Sequence, residues 1–180
     1  MFIQVPESKL NVVNELLEQL QYIKKVKLTF DEKKKIITVV PEEGYTYEAL
    51  KVEQVIKAFF AGYPLTKASR LLSDEYRFDV IDLKEYSHDP KKINRIKSRL
   101  IGKNGKFKKD IEDYTSVSLL ITDRYIYILG PYDQMSIARN ALERIIDGVE
   151  HQLVYKYIEN AERSIMDYKL VKSKRDNQEQ

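Results

Sequence analysis

Hydrophobic and polar positions along this chain switch repeatedly between a period of two and a period near 3.6, which predicts alternating strands and helices. Phe2 to Val5 reads as a short strand closed by Pro6. Ser8 is a candidate cap for a helix with Leu10, Val13, Leu17 and Leu20 on one face and Leu16 beside them. Val26, Leu28 and Phe30 then alternate with Lys25, Lys27 and Thr29, predicting a strand. Asp31 to Lys34 makes a polar turn, and Ile36 to Val40 returns as a second strand. A longer helix follows Gly44 and Thr46. Its face carries Val52, Val55, Ile56, Phe59 and Phe60, and Gly62 stops it. Pro64 opens a short helix with Leu65, Ala68, Leu71 and Leu72.

The order then repeats with one addition. Phe78 to Leu83 is a strand, and Asp89-Pro90 starts a helix through Ile93, Ile96 and Leu100. Two glycines interrupt it, and a helix with Phe107 and Ile111 follows. Val117, Leu119 and Ile121 alternate as a strand, Asp123-Arg124 turns, and Tyr125 to Leu129 pairs back. Gly130-Pro131 opens a helix carrying Met135, Ala138, Leu142 and Ile145, which Gly148 ends. A last helix over 149–170 has a stripe of Val154, Ile158, Ala161, Ile165 and Tyr168, which asks for a covering surface, first of all on the protein's own domains. The polar residues 172–180 read as a flexible tail. The expected division is 1–75, 76–148, a helix over 149–171 and the tail, in the α+β class.

The first pass lacks a piece. Between Val5 and Lys25 there is room for one helix, and no glycine occurs from Met1 to Glu43. Duplication followed by loss of the interrupted helix pair explains this. Two unrelated α+β domains with a common order is the alternative.

Charge sharpens the contrast. Residues 1–75 hold 11 basic and 11 acidic residues. From Lys91 to Lys109 there are nine basic residues and no acidic one, so of the chain's 31 basic and 28 acidic residues the remainder outside this window is 22 against 28. A positive field gathered in one place suits a polyanion site. Its centre is Arg99-Leu100-Ile101-Gly102-Lys103-Asn104-Gly105-Lys106. A GXXG tetrapeptide alone is a weak signal. Bracketed by one-signed charge and two short helices, it predicts a loop that clamps about four nucleotides of a single strand. Glycine lets backbone approach phosphates, and the next helix presents amides and the positive end of its dipole to the anion.

The expected contacts follow. Gly102 and Gly105 permit the approach. The amides from Lys103 to Lys106, with the side chains of Arg99, Lys103, Lys106 and Lys108, meet phosphates; Arg95, Lys97 and Lys109 extend the basic surface. Asn104 bonds a phosphate or favours the turn. Ile101, Ile111, Leu119 and Ile121 are candidates for an apolar floor under the bases, with core packing the alternative for each and at least as strong for Ile111 and Ile121.

Composition bounds the rest. The chain has 180 residues, 43% apolar, enough for one large or two small domains. With no cysteine, disulfides, thiol catalysis and cysteine-held metals are excluded. The two histidines, His88 and His151, lie far apart in sequence, so no metal or cofactor is expected. Met1 to Val5 turns polar at once, no run is long and apolar enough for a membrane span, and a cytoplasmic setting is expected. Asp110, Glu112 and Asp113 crowd together as acid–base groups or magnesium ligands do, but Asp110 and Asp113 share a helix face while Glu112 points elsewhere, and no nucleotide-hydrolase loop is present. A non-enzymatic binding module is the expectation. A protein-interaction adaptor, or a subunit of another RNA-processing complex, is the alternative.

The second half resembles a type I KH domain. More narrowly, the chain resembles the ribosome-assembly KH proteins of the partner-of-Nob (Pno, also Dim) type, related to the KRR-type factors. The residues that carry this are Phe60-Ala61-Gly62-Tyr63-Pro64 with Ala68 and Leu71-Leu72; Val80-Ile81-Asp82-Leu83; Arg99 to Gly105; Ile111-Glu112 with Thr115; and Gly148 with His151, Val154 and Tyr155. The resemblance implies two tandem KH-like domains, the first degenerate and without a GXXG loop, closed by a C-terminal helix. It implies a factor that binds single-stranded RNA near the 3′ end of small-subunit ribosomal RNA or its precursor. The partners it implies are the endonuclease that trims that end and the translation-initiation machinery.

Overall fold

In a computed structural model, residues 1–23 and 25–176 are described, with side chains as far as Val171. The chain divides into two compact units, Met1–Phe78 and a second from Asp79 onward.

The first unit runs β1 (Phe2–Gln4), a 3-10 stretch (Glu7–Val12), α1 (Val13–Leu20), β2 (Val26–Asp31), β3 (Ile36–Pro41), α2 (Thr46–Ala61), α3 (Leu65–Ala68) and a 3-10 turn (Ser69–Leu72). The helix expected from Ser8 therefore starts later. Its first turns are 3-10, and Val12, whose side chain caps nothing, precedes α1. The buried face of α1 is Val13, Leu16 and Leu20, while Leu10 and Leu17 are half-buried. The three strands are ordered β1-β3-β2, with β3 antiparallel to both neighbours. Ile37 and Val39 of β3 and Val52, Val55 and Ile56 of α2 are fully buried, so the sheet packs one face on the helices. Gly62, at φ 120°, ends α2 and gives its N–H to the carbonyls of Ala58 and Phe59.

The second unit's elements are β4 (Tyr76–Asp82, which straddles the division), α4 (Pro90–Ile101), α5 (Lys106–Thr115), β5 (Ser118–Ile121), β6 (Tyr125–Pro131), α6 (Tyr132–Ile146) and α7 (His151–Asp176). Its sheet order is β4-β6-β5, again first-third-second. Asp89 caps α4 by accepting the Lys91 amide at 3.0 Å, and Pro90 occupies the first turn. Gly130 belongs to β6 rather than opening α6. A Cβ there would sit 2.6 Å from Val117 Cγ1, so glycine is what lets β6 lie against the start of β5.

The stripe on α7 is covered by its own unit. Val154 and Ile158 are fully buried in the core, and Ala161 and Ile165 pack against it. Tyr168, read as part of the stripe, is 69% exposed, so the docked face ends at Ile165. The helix continues to Asp176, past the boundary at 171 expected for it. The rest of the expected tail, 177–180, lies outside the described residues. Among the described residues no helix is long and apolar enough to cross a membrane.

Candidate nucleic-acid interface

α4 ends in a chain reversal made by left-handed residues. Gly102 has φ 76° and ψ 177°, Asn104 φ 53° and Gly105 φ 75°. Asparagine is the side-chain-bearing residue that adopts this region most readily, which accounts for Asn104 through the turn itself. The two glycines differ. A Cβ on Gly102 would meet Phe107 Cβ at 2.7 Å and Phe107 N at 2.8 Å, whereas one on Gly105 meets nothing within 4 Å. Gly102 is required by packing behind the loop; Gly105 leaves open space in front of it. The Gly105 amide goes to the Gly102 carbonyl at 3.2 Å, and the Lys106 amide to the Lys103 carbonyl. The role expected of the amides from Lys103 to Lys106 therefore narrows to the first two.

Behind the loop stands an aromatic and polar brace from α7. The Phe107 ring is buried edge-to-face against His151 at 4.4 Å between centroids and against Tyr155 at 5.5 Å. His151 Nε2 donates to the Arg99 carbonyl at 2.8 Å, tying down the last turn of α4. Tyr155 donates to Asp110 Oδ2 at 2.6 Å, and Lys106 Nζ reaches the same oxygen at 2.8 Å. The hydrogen bond from Lys106, then that from Tyr155, holds the Asp110 carboxyl below the usual aspartate range against a smaller effect of burial. Burial, reinforced by Asp110, pushes the Tyr155 hydroxyl above the usual tyrosine range. His151 and Tyr155 stand one helical turn apart, so both reach the same target.

The basic residues expected at the site fall into separate groups. Lys103, Lys109 and Arg95 are exposed and have no ion pair or hydrogen bond among the described residues. Lys106 is exposed and paired only with Asp110 across one turn, a link weak enough in water to yield to a phosphate. Lys108, expected at a phosphate, is half-buried and reaches Glu112 at 3.4 Å. Lys97 lies against Asp123 at 2.6 Å with its side chain 18% exposed, joining α4 to the β5–β6 turn. Arg99 is a correction. Its guanidinium donates to the carbonyls of Ile145 and Val149, both at 2.6 Å, so it closes the C-terminal end of α6 and the joint to α7 instead of facing the loop.

The apolar floor is corrected as well. Leu119 is 1% exposed and sits in the core with Ile111, because the face their periodicity marks is the inner face of the sheet. Ile121 packs half-buried on the same core, and of the four only Ile101 is exposed. The edge strand is closed here: Glu112 Oε1 accepts the Leu119 amide at 2.7 Å. Asp110 and Glu112 are thus both engaged in holding α5, and among the described residues no group of three or more histidine, aspartate or glutamate side chains could hold a metal ion.

Residues 77–163 match the family model of the eukaryotic-type, type I KH domain, in the version built on the second KH domain of PNO1. The chain is 32% identical over 115 residues to a KH domain-containing protein of Methanocaldococcus jannaschii, covering 64% of this chain and 51% of that protein. It is 30% identical over 153 residues to the RNA-binding protein PNO1 of Oryzias latipes, covering 83% and 61%. The chain thus spans about half to three fifths of these relatives. Among solved structures, a protein of unknown function from Aeropyrum pernix superposes with a TM-score of 0.87 at 27% identity, covering 96% of this chain and 95% of that one. A chain of the a/eIF2alpha–aDim2p–rRNA complex of Pyrococcus horikoshii superposes at 0.75 and 22% identity, covering 91% and 94%, a likeness of fold. With a helix–GXXG–helix set on a three-stranded sheet, residues 77–163 belong to the type I KH domains, and the chain as a whole is similar to the KH proteins of the Pno/Dim type.

Proposed function

We propose that the chain is a non-enzymatic, single-stranded-RNA-binding factor in small ribosomal subunit assembly. It grips RNA near the 3′ end of small-subunit ribosomal RNA through the loop Gly102–Lys106. The observation that carries this is the loop itself: an outward, open Gly105 between exposed Lys103 and Lys106, at the start of a ten-residue helix, fixed from behind by Phe107 and α7. Backbone amides, a helix N-terminus and unpaired lysines together make an anion cradle. Lys103, Lys106 and Lys109 contact phosphates, and Ile101 offers an exposed apolar surface to a base.

The ribosomal target is supported by the relatives' names, an RNA-binding protein and a pre-rRNA-processing protein, and by the ribosomal RNA in the Pyrococcus complex. A translation-initiation factor is a proposed partner on the same ground, and the endonuclease that trims the RNA end is a second. The setting is the cytoplasm. The first unit, with the same strand order but a single helical segment between β1 and β2, is read as a KH domain that has lost its clamp and serves as a brace or partner platform.

Gly105→Asp tests the clamp. It adds a negative charge in open space at a left-handed position that aspartate tolerates. A gel shift with single-stranded RNA should lose the complex while circular dichroism stays unchanged; unchanged affinity in a folded variant removes the clamp. Crosslinking the RNA bound in cells and sequencing it tests the ribosomal target.

A further inference from the structure

Not all of the basic surface can serve the loop. Lys92, Arg95 and Arg99 follow at spacings of three and four, so they share one stripe of α4. That stripe lines an open cavity of about 650 Å³ between α4 and the C-terminal end of α6, with Tyr86 and Gly148 on its walls. The volume is in the range of sites that hold a nucleotide-sized group. Three cations face it, against the single carboxylate of Asp147. Arg99 is fixed in place by its two carbonyl bonds, so its charge needs no ordering when an anion arrives. Lys92 and Arg95 are exposed and have no ion pair or hydrogen bond among the described residues, so no protein partner has to be displaced.

We infer that this cavity is a second phosphate-binding site, which takes the backbone of single-stranded RNA leaving the GXXG loop. The inference rests on the RNA reading of that loop and extends it. Position decides for RNA over an acidic protein segment. Arg95 and Gly102 are seven residues apart in chain number, about 10 Å along the helix, which about three stacked nucleotides span. A strand clamped at the loop therefore reaches the cavity without a break, and its next phosphates meet Arg99, Arg95 and Lys92 in turn. The loop fixes about four nucleotides; the cavity lengthens the footprint and gives the strand a fixed exit path. Lys97 points to the other flank of α4, where it holds Asp123, and takes no part.

The test uses the full chain and two labelled oligouridines, one of about four nucleotides, the length the loop clamps, and one about three times as long. In the double variant Lys92→Gln with Arg95→Gln, both changes are at exposed positions and the melting curve should match the wild type. Affinity for the long RNA should fall severalfold, and its log K against log salt should become shallower by about 1.4, two phosphates at about 0.7 each. Affinity for the short RNA should not move. Equal loss on both RNAs, or no loss on either, overturns the second site while leaving the clamp in place. Loss of a polyglutamate peptide's binding with unchanged long-RNA affinity overturns it in favour of a protein partner. A wild-type chain that binds neither RNA removes the RNA reading itself, and Gly105→Asp, which should abolish binding of both, tells that failure from the others.

Discussion

The two units solve one topological problem with different parts. Each orders its strands first-third-second and covers one face with helices. Where the second unit inserts α4, a left-handed turn and α5, the first has a 3-10 stretch and the eight-residue α1. The comparison teaches that the core of this architecture does not need the paired helices and their glycine turn. Val13, Leu16 and Leu20 close the first unit's core from a single helical segment, so a second helix and a glycine turn are not needed to close a core of this kind. In the first unit Lys35 pairs with Glu7 at 2.7 Å and Lys51 with Asp74 at 2.6 Å, whereas Lys103 and Lys109 beside the second unit's turn are exposed with no ion pair among the described residues.

The widest break in this comparison is functional. Residues 76–170 alone should carry most of the RNA affinity and residues 1–75 almost none, read by titrating both with the same single-stranded RNA. Equal affinity of the first unit would mean that its missing clamp does not matter.

The next effect is on stability at the glycines. Gly102→Ala forces a Cβ to 2.7 Å from Phe107 at φ 76°, and should cost about 2–3 kcal/mol of unfolding free energy. Gly105→Ala, with open space, should cost only about 1 kcal/mol. Thermal melts of the two variants decide whether the loop is rigid at one end and permissive at the other.

The brace comes third. Arg99→Gln removes two charge-assisted bonds at the α6–α7 joint and should cost about 2 kcal/mol, with a discount for the part of Arg99 that meets water. His151→Phe keeps the edge-to-face contact with Phe107 and loses the bond to the Arg99 carbonyl, at about 1 kcal/mol. Both should weaken RNA binding as well as folding; binding unchanged at equal fold would show that α7 does not hold the loop.

Salt gives a subtler reading. With about four to six phosphates neutralised, log K against log salt should slope about −3 to −4, and removing Lys103 or Lys109 should make it shallower by about 0.7. Lys108→Gln should move it less, since that side chain is half-buried beside Glu112. A flat response would mean that the basic window is only a solvated face.

The smallest effect is on acidification. Hydrogen bonds from Lys106 and Tyr155 lower Asp110, one from Lys97 lowers Asp123, and one from Arg124 lowers Asp82. Groups lowered by folding stabilise it above their unfolded pKa and lose that contribution as pH falls through the folded value. The second unit should therefore keep its melting temperature down to the ordinary aspartate range, about pH 4, and lose it below. Asp110→Asn should flatten that fall.

Much of this was legible in the residues. Alternation placed β2, β3, β5 and β6, helical spacing placed α2, α4 and α6, and Gly62 and Gly148 end α2 and α6 as read. The glycine turn between α4 and α5 could be read because its signal is local: two glycines, Asn104 and one-signed charge within a few residues. Contact partners were not legible. Leu119 and Ile121 share a period, yet periodicity cannot say which face is the inner one, and the packing buries Leu119. Nor does a run of like charges say which cation meets water. Asp123 and Glu112 take Lys97 and Lys108, and two carbonyls take Arg99.

By itself, then, the sequence determined the elements, the repeated order and the place of the loop, because backbone preference and hydrophobic period act over a few residues. Only the tertiary structure decided which glycine is locked by Phe107, that His151 and Tyr155 from α7 stand behind the loop, and that Lys92, Arg95 and Arg99 line a cavity of their own. The contacts of α7 join residues far apart in the chain, Tyr155 to Asp110 at a separation of 45 and His151 to the Arg99 carbonyl at 52. No local rule reaches that far; they exist because burial of the core brings the helices together.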